Sequence, residues 1–149
     1  MDIKEILPKI QVLITTRDPL EGIDIYPTDN FLILSKSPFI VILAIKNNSR
    51  CYYNITKTKE FVVNVIPKIY EDLIEKCKKE YIRGINEIKE IGLNEEKCLR
   101  VKVPRIKEAS LALECVWIGS VEVDSINLLE NYPVFGKVVE VHGTKVSSE

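Results

Sequence analysis

The residues with the clearest chemical potential lie at one polar corner, Lys46-Asn47-Asn48-Ser49-Arg50. It sits between an apolar run, Phe39 to Ile45, and a short amphipathic segment, Cys51 to Thr58. An arginine fork gives two hydrogen bonds to one group of oxygens, which suits phosphate. Ser49 adds a hydroxyl, and the first turn of a following helix adds unpaired N–H groups. Together they form a plausible anion site at the lip of a β structure.

Other chemistries have little support. Cys51, Cys77, Cys98 and Cys115 are scattered without a C-x-x-C spacing, and His142 is the only histidine, so no metal site is expected. Four reduced, structural thiols are the simplest reading, with Cys51 set apart because Arg50 beside it could lower its pKa. No Ser-His-Asp or paired-carboxylate pattern stands out, so no catalytic residue is assigned. The net charge of −1 and 7% aromatic residues argue against a nucleic-acid partner. Apolar runs fall far short of the ~20 residues of a membrane span. The start, Met1-Asp2-Ile3-Lys4-Glu5, has no signal-peptide order, and a cytoplasmic setting is expected.

The elements around the corner read as mainly β. With 149 residues, 46% of them hydrophobic, the chain suits a single domain spanning 1–149. Phe39 to Ile45 has no polar face and reads as a strand buried on both sides. Phe61 to Ile66 reads the same way and stops at Pro67. Strands are also expected over Lys9–Thr16 and Phe31–Ser35. From Ser110 to Val123 a long strand alternates, with Leu111, Leu113, Cys115 and Trp117 on one face, Ala112 and Glu114 on the other, and a possible bend at Gly119. Trp117 is expected in the core. Helices are expected over Met1–Leu7 and Lys68–Lys79, the second with Ile69, Leu73 and Cys77 on one stripe. Arg17 to Gly22 is turn chemistry, Asp124–Leu129 reads as a linker, and residues after Gly143 as a loose tail.

The order of motifs resembles the flavin reductase-like family of FMN-binding split barrels. The resemblance rests on Ser37-Pro38-Phe39-Ile40-Val41, on Asn48-Ser49-Arg50-Cys51-Tyr52, and above all on Lys59-Glu60-Phe61-Val62-Val63-Asn64-Val65. Three later stretches extend it: Tyr81 to Leu93, Val101 to Ala109, and the closing Val134-Phe135-Gly136-Lys137-Val138-Val139-Glu140-Val141-His142. It implies an antiparallel Greek-key split β-barrel with a few flanking helices. It also implies a homodimer, with FMN in a groove shared by two subunits.

The resemblance further implies the site. Arg50, Ser49, Asn48 and Lys46 would meet the phosphate, and Thr15 and Thr16 would reach the flavin edge. Tyr26, Pro27 and Thr28 fall where the family holds the ring and ribityl tail. Here Ile23 replaces the family's asparagine, Tyr26 replaces its threonine, and Asp24 sets a carboxylate beside the expected phosphate. Tyr52 and Tyr53 have two uses, covering the ring or packing on the barrel, and at least one is expected to pack. Arg83 matches the arginine of a segment that helps close the pocket, whereas Asn86, Glu87 and Ile88 replace its Asp-Lys-Phe. His142 is placed near the flavin or the dimer seam, with a plain satisfied imidazole as the alternative.

The implied activity is hydride transfer from NAD(P)H to FMN and onward passage of electrons to flavin or another acceptor. The flavin does the redox work and the protein orients it. Two alternatives stand beside it. One is an electron-transfer flavoprotein without efficient NAD(P)H use; the other is a degenerate, flavin-free split barrel acting as a binding or assembly module.

Overall fold

The computed structural model describes residues 10–122 and 130–143. The expected helix over Met1–Leu7, the linker at Asp124–Leu129 and the tail after Gly143 lie outside the described residues. One seven-stranded antiparallel sheet dominates. It contains β1 (Val12–Arg17), β2 (Ile23–Thr28), β3 (Phe31–Lys36), β4 (Phe39–Lys46), β5 (Glu60–Val65), β8 (Leu111–Ser120) and β9 (Asn131–Gly143), in the order β2-β1-β5-β8-β9-β4-β3. A two-stranded ribbon, β6 (Glu95–Glu96) and β7 (Arg105–Ile106), lies beside it. The hairpins β1–β2 and β3–β4 sit at opposite ends, while β1 pairs with β5 and β4 with β9, a Greek-key order.

The sheet curls until its ends meet. The amide of Lys46, ending β4, donates to the Tyr26 hydroxyl of β2 at 2.9 Å. Helix α1 (Arg50–Thr58) lies across the remaining split and packs on β1, β2 and β4. Its residues Cys51, Tyr52 and Ile55 join the interior, with Val12, Ile14, Val41, Leu43, Phe61, Leu113 and Val134 among their neighbours. Each large apolar side chain buried there contributes roughly 1.5–3 kcal/mol.

Local chemistry sets α1. Ser49 is its N-cap in extended conformation, and its Oγ accepts from the Tyr52 amide at 3.1 Å. Lys59, in the left-handed region at φ 66°, closes the C-terminus through its amide to the Ile55 carbonyl. Ser49→Ala is expected to cost about 1 kcal/mol of stability, read from the midpoint of urea unfolding. An unchanged midpoint would show that the cap contributes nothing.

Two expectations need correction. The run Phe39 to Ile45 is buried on one face only: Val41, Leu43 and Ile45 fill the barrel, while Ile40, Ile42 and Ala44 are half-buried on the outside. The strands buried on both faces are β1 and β5, because a second apolar layer covers them. Leu13, Ile23 and Ile25 pack there under Cys77, Ile88, Ile91 and Ile106. The helix expected over 68–79 is instead a 3₁₀ segment, Lys68–Leu73, followed by a short α2, Ile74–Cys77. Pro67 offers no side-chain cap, and 3₁₀ winding turns Tyr70, Leu73 and Ile74 onto that layer while Ile69 is left 81% exposed.

The long strand behaves as its alternation requires. Leu111, Leu113, Cys115 and Trp117 face the barrel, and the register shifts between Trp117 and Gly119, where Gly119 takes φ 149°. Trp117 packs on the core, with the Lys59 ammonium 4.5 Å from its ring centroid.

Candidate functional site

A cleft of about 410 Å³ opens beside the split, between β2, the start of α1, the segment 78–81 and helix α3 (Glu87–Glu90). Of the residues singled out in the sequence, Tyr26, Lys46, Asn48, Ser49 and Arg50 line it. A neighbouring groove of about 360 Å³ shares Asn48, Ser49 and Arg50 and adds Tyr53 and Arg83. There the Arg83 guanidinium lies 5.4 Å from the Tyr53 ring centroid. Tyr52 packs inside the barrel, edge-on to Tyr132, and its hydroxyl donates to Glu122.

The remaining predicted residues lie elsewhere. Thr15 is fully buried, donating to the Pro104 carbonyl at 2.9 Å and accepting from Asn64. Thr16 accepts from Asn54 in the interior. Pro27 pairs with Leu13, and Thr28 accepts from the Asn30 amide in the β2–β3 turn. His142 lines a different depression, with Arg105 and Lys107, and its Nε2 meets Glu114. The cleft therefore gathers five of the twelve named residues, and Tyr53 and Arg83 border it.

The mouth of the cleft is basic. Lys46, Lys78, Lys79 and Arg50 surround the start of α1, where the amides of Arg50 and Cys51 precede the first helical hydrogen bond. These donors suit an anion. The floor is acidic. Asp24 and Glu87 are each 5% exposed. Asp24 Oδ2 accepts from Asn54 at 2.7 Å, whereas its Oδ1 is buried with no donor. Glu87 Oε1 accepts from the Ile25 amide at 2.8 Å, and its carboxyl neighbours that of Asp24. Burial pushes the Glu87 carboxyl from 4.5 up to about 7, the neighbouring Asp24 charge adds to the rise, and the Ile25 amide and Arg50 oppose it.

Arg50 is held between mouth and floor. Its Nη1 donates to the Tyr81 carbonyl at 2.6 Å and lies 4.0 Å from Glu87 Oε2. Cys51 corrects a further expectation. Burial pushes its thiol well above the usual range and Asp24 adds to the rise, so Arg50 beside it does not make it a reactive thiolate. All four cysteines are free. Among the described residues no cluster of His, Cys, Asp and Glu has the arrangement to hold a metal.

Sequence reasoning did not find Glu87 as part of the floor. The available signal was Asn86, whose side chain caps α3 through the amides of Ile88 and Lys89 and so fixes which way the next residues point.

Fold and cleft together define a split β-barrel with a cleft at its lip, basic at the mouth and acidic at the floor. The chain belongs to the family of the flavin reductase like domain, which matches residues 5–148. A curated protein of Aquifex aeolicus (strain VF5) is 32% identical over 101 residues, 62% of this chain and 50% of that one. The chain thus spans about half the length of that relative. Nitrilotriacetate monooxygenase component B from Bacillus cereus superposes with a TM-score of 0.86 at 20% identity, over 94% of this chain and 72% of the other. A Shewanella frigidimarina NCIMB 400 structure with a split barrel domain does so with a TM-score of 0.84 at 19% identity, over 95% and 70%.

Proposed function

We propose that this chain binds FMN in the lip cleft and reduces flavin, or passes electrons to another acceptor, at the expense of NAD(P)H. The observation that carries the reading is the α1 N-terminus, with Arg50 and Lys46, at the mouth of a cleft large enough for a cofactor. The phosphate is assigned to that mouth, to the donors of Arg50, Lys46 and the first turn of α1. The ring is assigned to the space along Tyr26 and toward Tyr53 and Arg83. Bound flavin supplies the hydride chemistry; the chain's own groups orient it and set the charge around it. Four unpaired thiols accord with a cytoplasmic setting, and no helix among the described residues is long and apolar enough to cross a membrane.

The working form in this proposal is a homodimer. Leu32, Ile33 and Leu34 of β3 are each about half exposed, at 52%, 47% and 54%. They continue onto a groove lined by Ile42 and Pro133. An apolar face of this kind is suited to burial against a second copy, and a solution mass equal to one chain would remove the dimer.

Purification with excess FMN followed by gel filtration is the test. A yellow protein that bleaches with NADH or NADPH under anaerobic conditions is the expected result, and a colourless protein would reject the reading. A second reading is supported by the acidic floor, which repels a dinucleotide pyrophosphate. In it the chain holds flavin but exchanges electrons with another protein. Colour that survives gel filtration yet does not bleach with either nicotinamide would select it.

A further inference from the structure

The mouth of the cleft can grip a phosphate only with cations that are not already engaged. Arg50 is engaged: its guanidinium sits between the Tyr81 carbonyl and the Glu87 carboxyl, 2.6 Å from one and 4.0 Å from the other. A ligand phosphate and Glu87 therefore compete for the same fork. Because the Glu87 side chain is 7% exposed, water screens this competition little.

Asp24 decides when Glu87 competes. Asp24 Oδ1 is buried without a donor from the protein, and the carboxyl of Glu87 meets that of Asp24. Two buried carboxyls side by side cannot both ionise cheaply, so Glu87 holds its proton beside Asp24. While that proton is present, Glu87 is neutral and Arg50 is available. When the proton leaves to solvent, Glu87 becomes an anion held against Arg50.

We propose that Glu87 is a specificity-determining residue of the cleft, which competes with the ligand's phosphate for Arg50 and so sets the preference for phosphorylated over unphosphorylated flavin under the control of Asp24. This inference rests on the flavin reading above. The groups around Glu87 are consistent with it. Asp24 faces it from β2, Arg50 from α1, Cys77 from α2, and Tyr81 from the preceding segment, while the buried Cys51 of α1 neighbours Asp24. Lys78, Lys79 and Glu80 stand at the exposed mouth, and Lys89 and Glu90 of α3 lie at the surface. Burial pushes the Cys77 thiol to about 12 and keeps the Cys51 thiol high, so neither thiol ionises near neutrality. The Glu87 carboxyl, pushed up to about 7, is the group that changes charge there.

Dissociation constants for FMN and riboflavin, read by quenching of flavin fluorescence, isolate the phosphate because the ring is common to both. Between about pH 6 and about pH 8.5 the wild-type preference for FMN, taken relative to that of Glu87→Gln at the same pH, is expected to fall about tenfold, equivalent to one pKa unit of competition. Glu87→Gln, which stays neutral, loses none of its grip on the phosphate to this competition at either value. The phosphate's own second ionisation, near 6, pulls the other way and cancels between the two proteins at one pH. Asp24→Asn keeps the shape but removes the like charge, so Glu87 ionises earlier and the preference at about pH 6 drops toward the wild-type value at about pH 8.5. That variant preserves the test should Glu87→Gln not fold. A wild-type preference that keeps the same ratio to that of Glu87→Gln at both pH values would overturn the inference and leave the flavin reading intact. A protein that binds neither flavin at either pH would remove both.

Discussion

Replacing Glu114 by alanine is expected to destabilise the protein by about 3–5 kcal/mol, the cost of leaving several buried donors without their acceptor. Glu114 is fully buried on β8, on the face away from the barrel. Its carboxylate accepts from the amides of Leu99 at 2.8 Å, Arg100 at 2.6 Å and Val101 at 3.2 Å, and from His142 on the neighbouring strand. The loop those amides belong to is held at two further points. Val101 and Val103 bury against Val62 and Ala112, and Glu60 accepts from the amides of Lys102 and Val103. Alanine would leave three backbone donors facing a small void, each with a desolvation penalty of roughly 1–3 kcal/mol unless water enters. Burial by itself would raise the Glu114 carboxyl, but His142 and the three amides outweigh it and hold the group below its usual range. A depressed carboxylate contributes stability above its unfolded-state pKa, lost as pH falls through its lowered folded value. Urea unfolding of wild type and Glu114→Ala should therefore show a large gap near neutrality that narrows in acid. A gap under about 1 kcal/mol at neutral pH would show that the loop is held by its valines alone.

Glu114 also illustrates how far the sequence could be read. Strand alternation placed it correctly on the face opposite Leu113 and Cys115, because period-2 patterning depends on nothing beyond the strand itself. What it does there depends on a loop folded back from Leu99 to Val101, which no local pattern encodes. Asn64 is a parallel case. The Glu60-Phe61-Val62-Val63-Asn64-Val65 stretch is plainly a strand, yet the reason for its asparagine appears only in three dimensions. Its Nδ2 donates to the Leu13 carbonyl and its Oδ1 accepts from the Ile106 amide, tying β5 to β1 and β7. The lip cleft divides the same way. Lys46 to Arg50 is a contiguous corner, so the basic mouth is legible in the sequence. The floor joins β2 to a four-residue helix too short to show a periodic face, so Glu87 is not. The segment after Pro67 was misread for a related reason, since a 3.6-residue stripe was imposed on residues that wind as 3₁₀.

The acid pair at the cleft floor predicts a pH effect on stability opposite in sign to that of Glu114. Glu87 has a folded-state pKa raised from 4.5 to about 7, chiefly by burial, so the folded protein keeps a proton that the unfolded chain has released. Between those two values stability falls as pH rises, and above about 7 the loss is complete. A rise of that size corresponds to a loss on the order of 3 kcal/mol. In Glu87→Gln the glutamine oxygen can still accept from the Ile25 amide, and the side chain cannot ionise, so the slope should vanish. Unfolding free energies at about pH 5.5 and about pH 8.5 give the test, read as the difference between wild type and variant so that every other titrating group cancels. The variant should gain on wild type by about 2 kcal/mol at the higher pH relative to the lower. An equal difference at both values would mean that Glu87 is already ionised at about pH 5.5, held so by Arg50 rather than protonated against Asp24. The measurement is made on protein without flavin, so it tests the Glu87 proton itself. Glu87 can regulate the grip on a phosphate only if the folded chain already spends stability to keep its carboxyl from ionising.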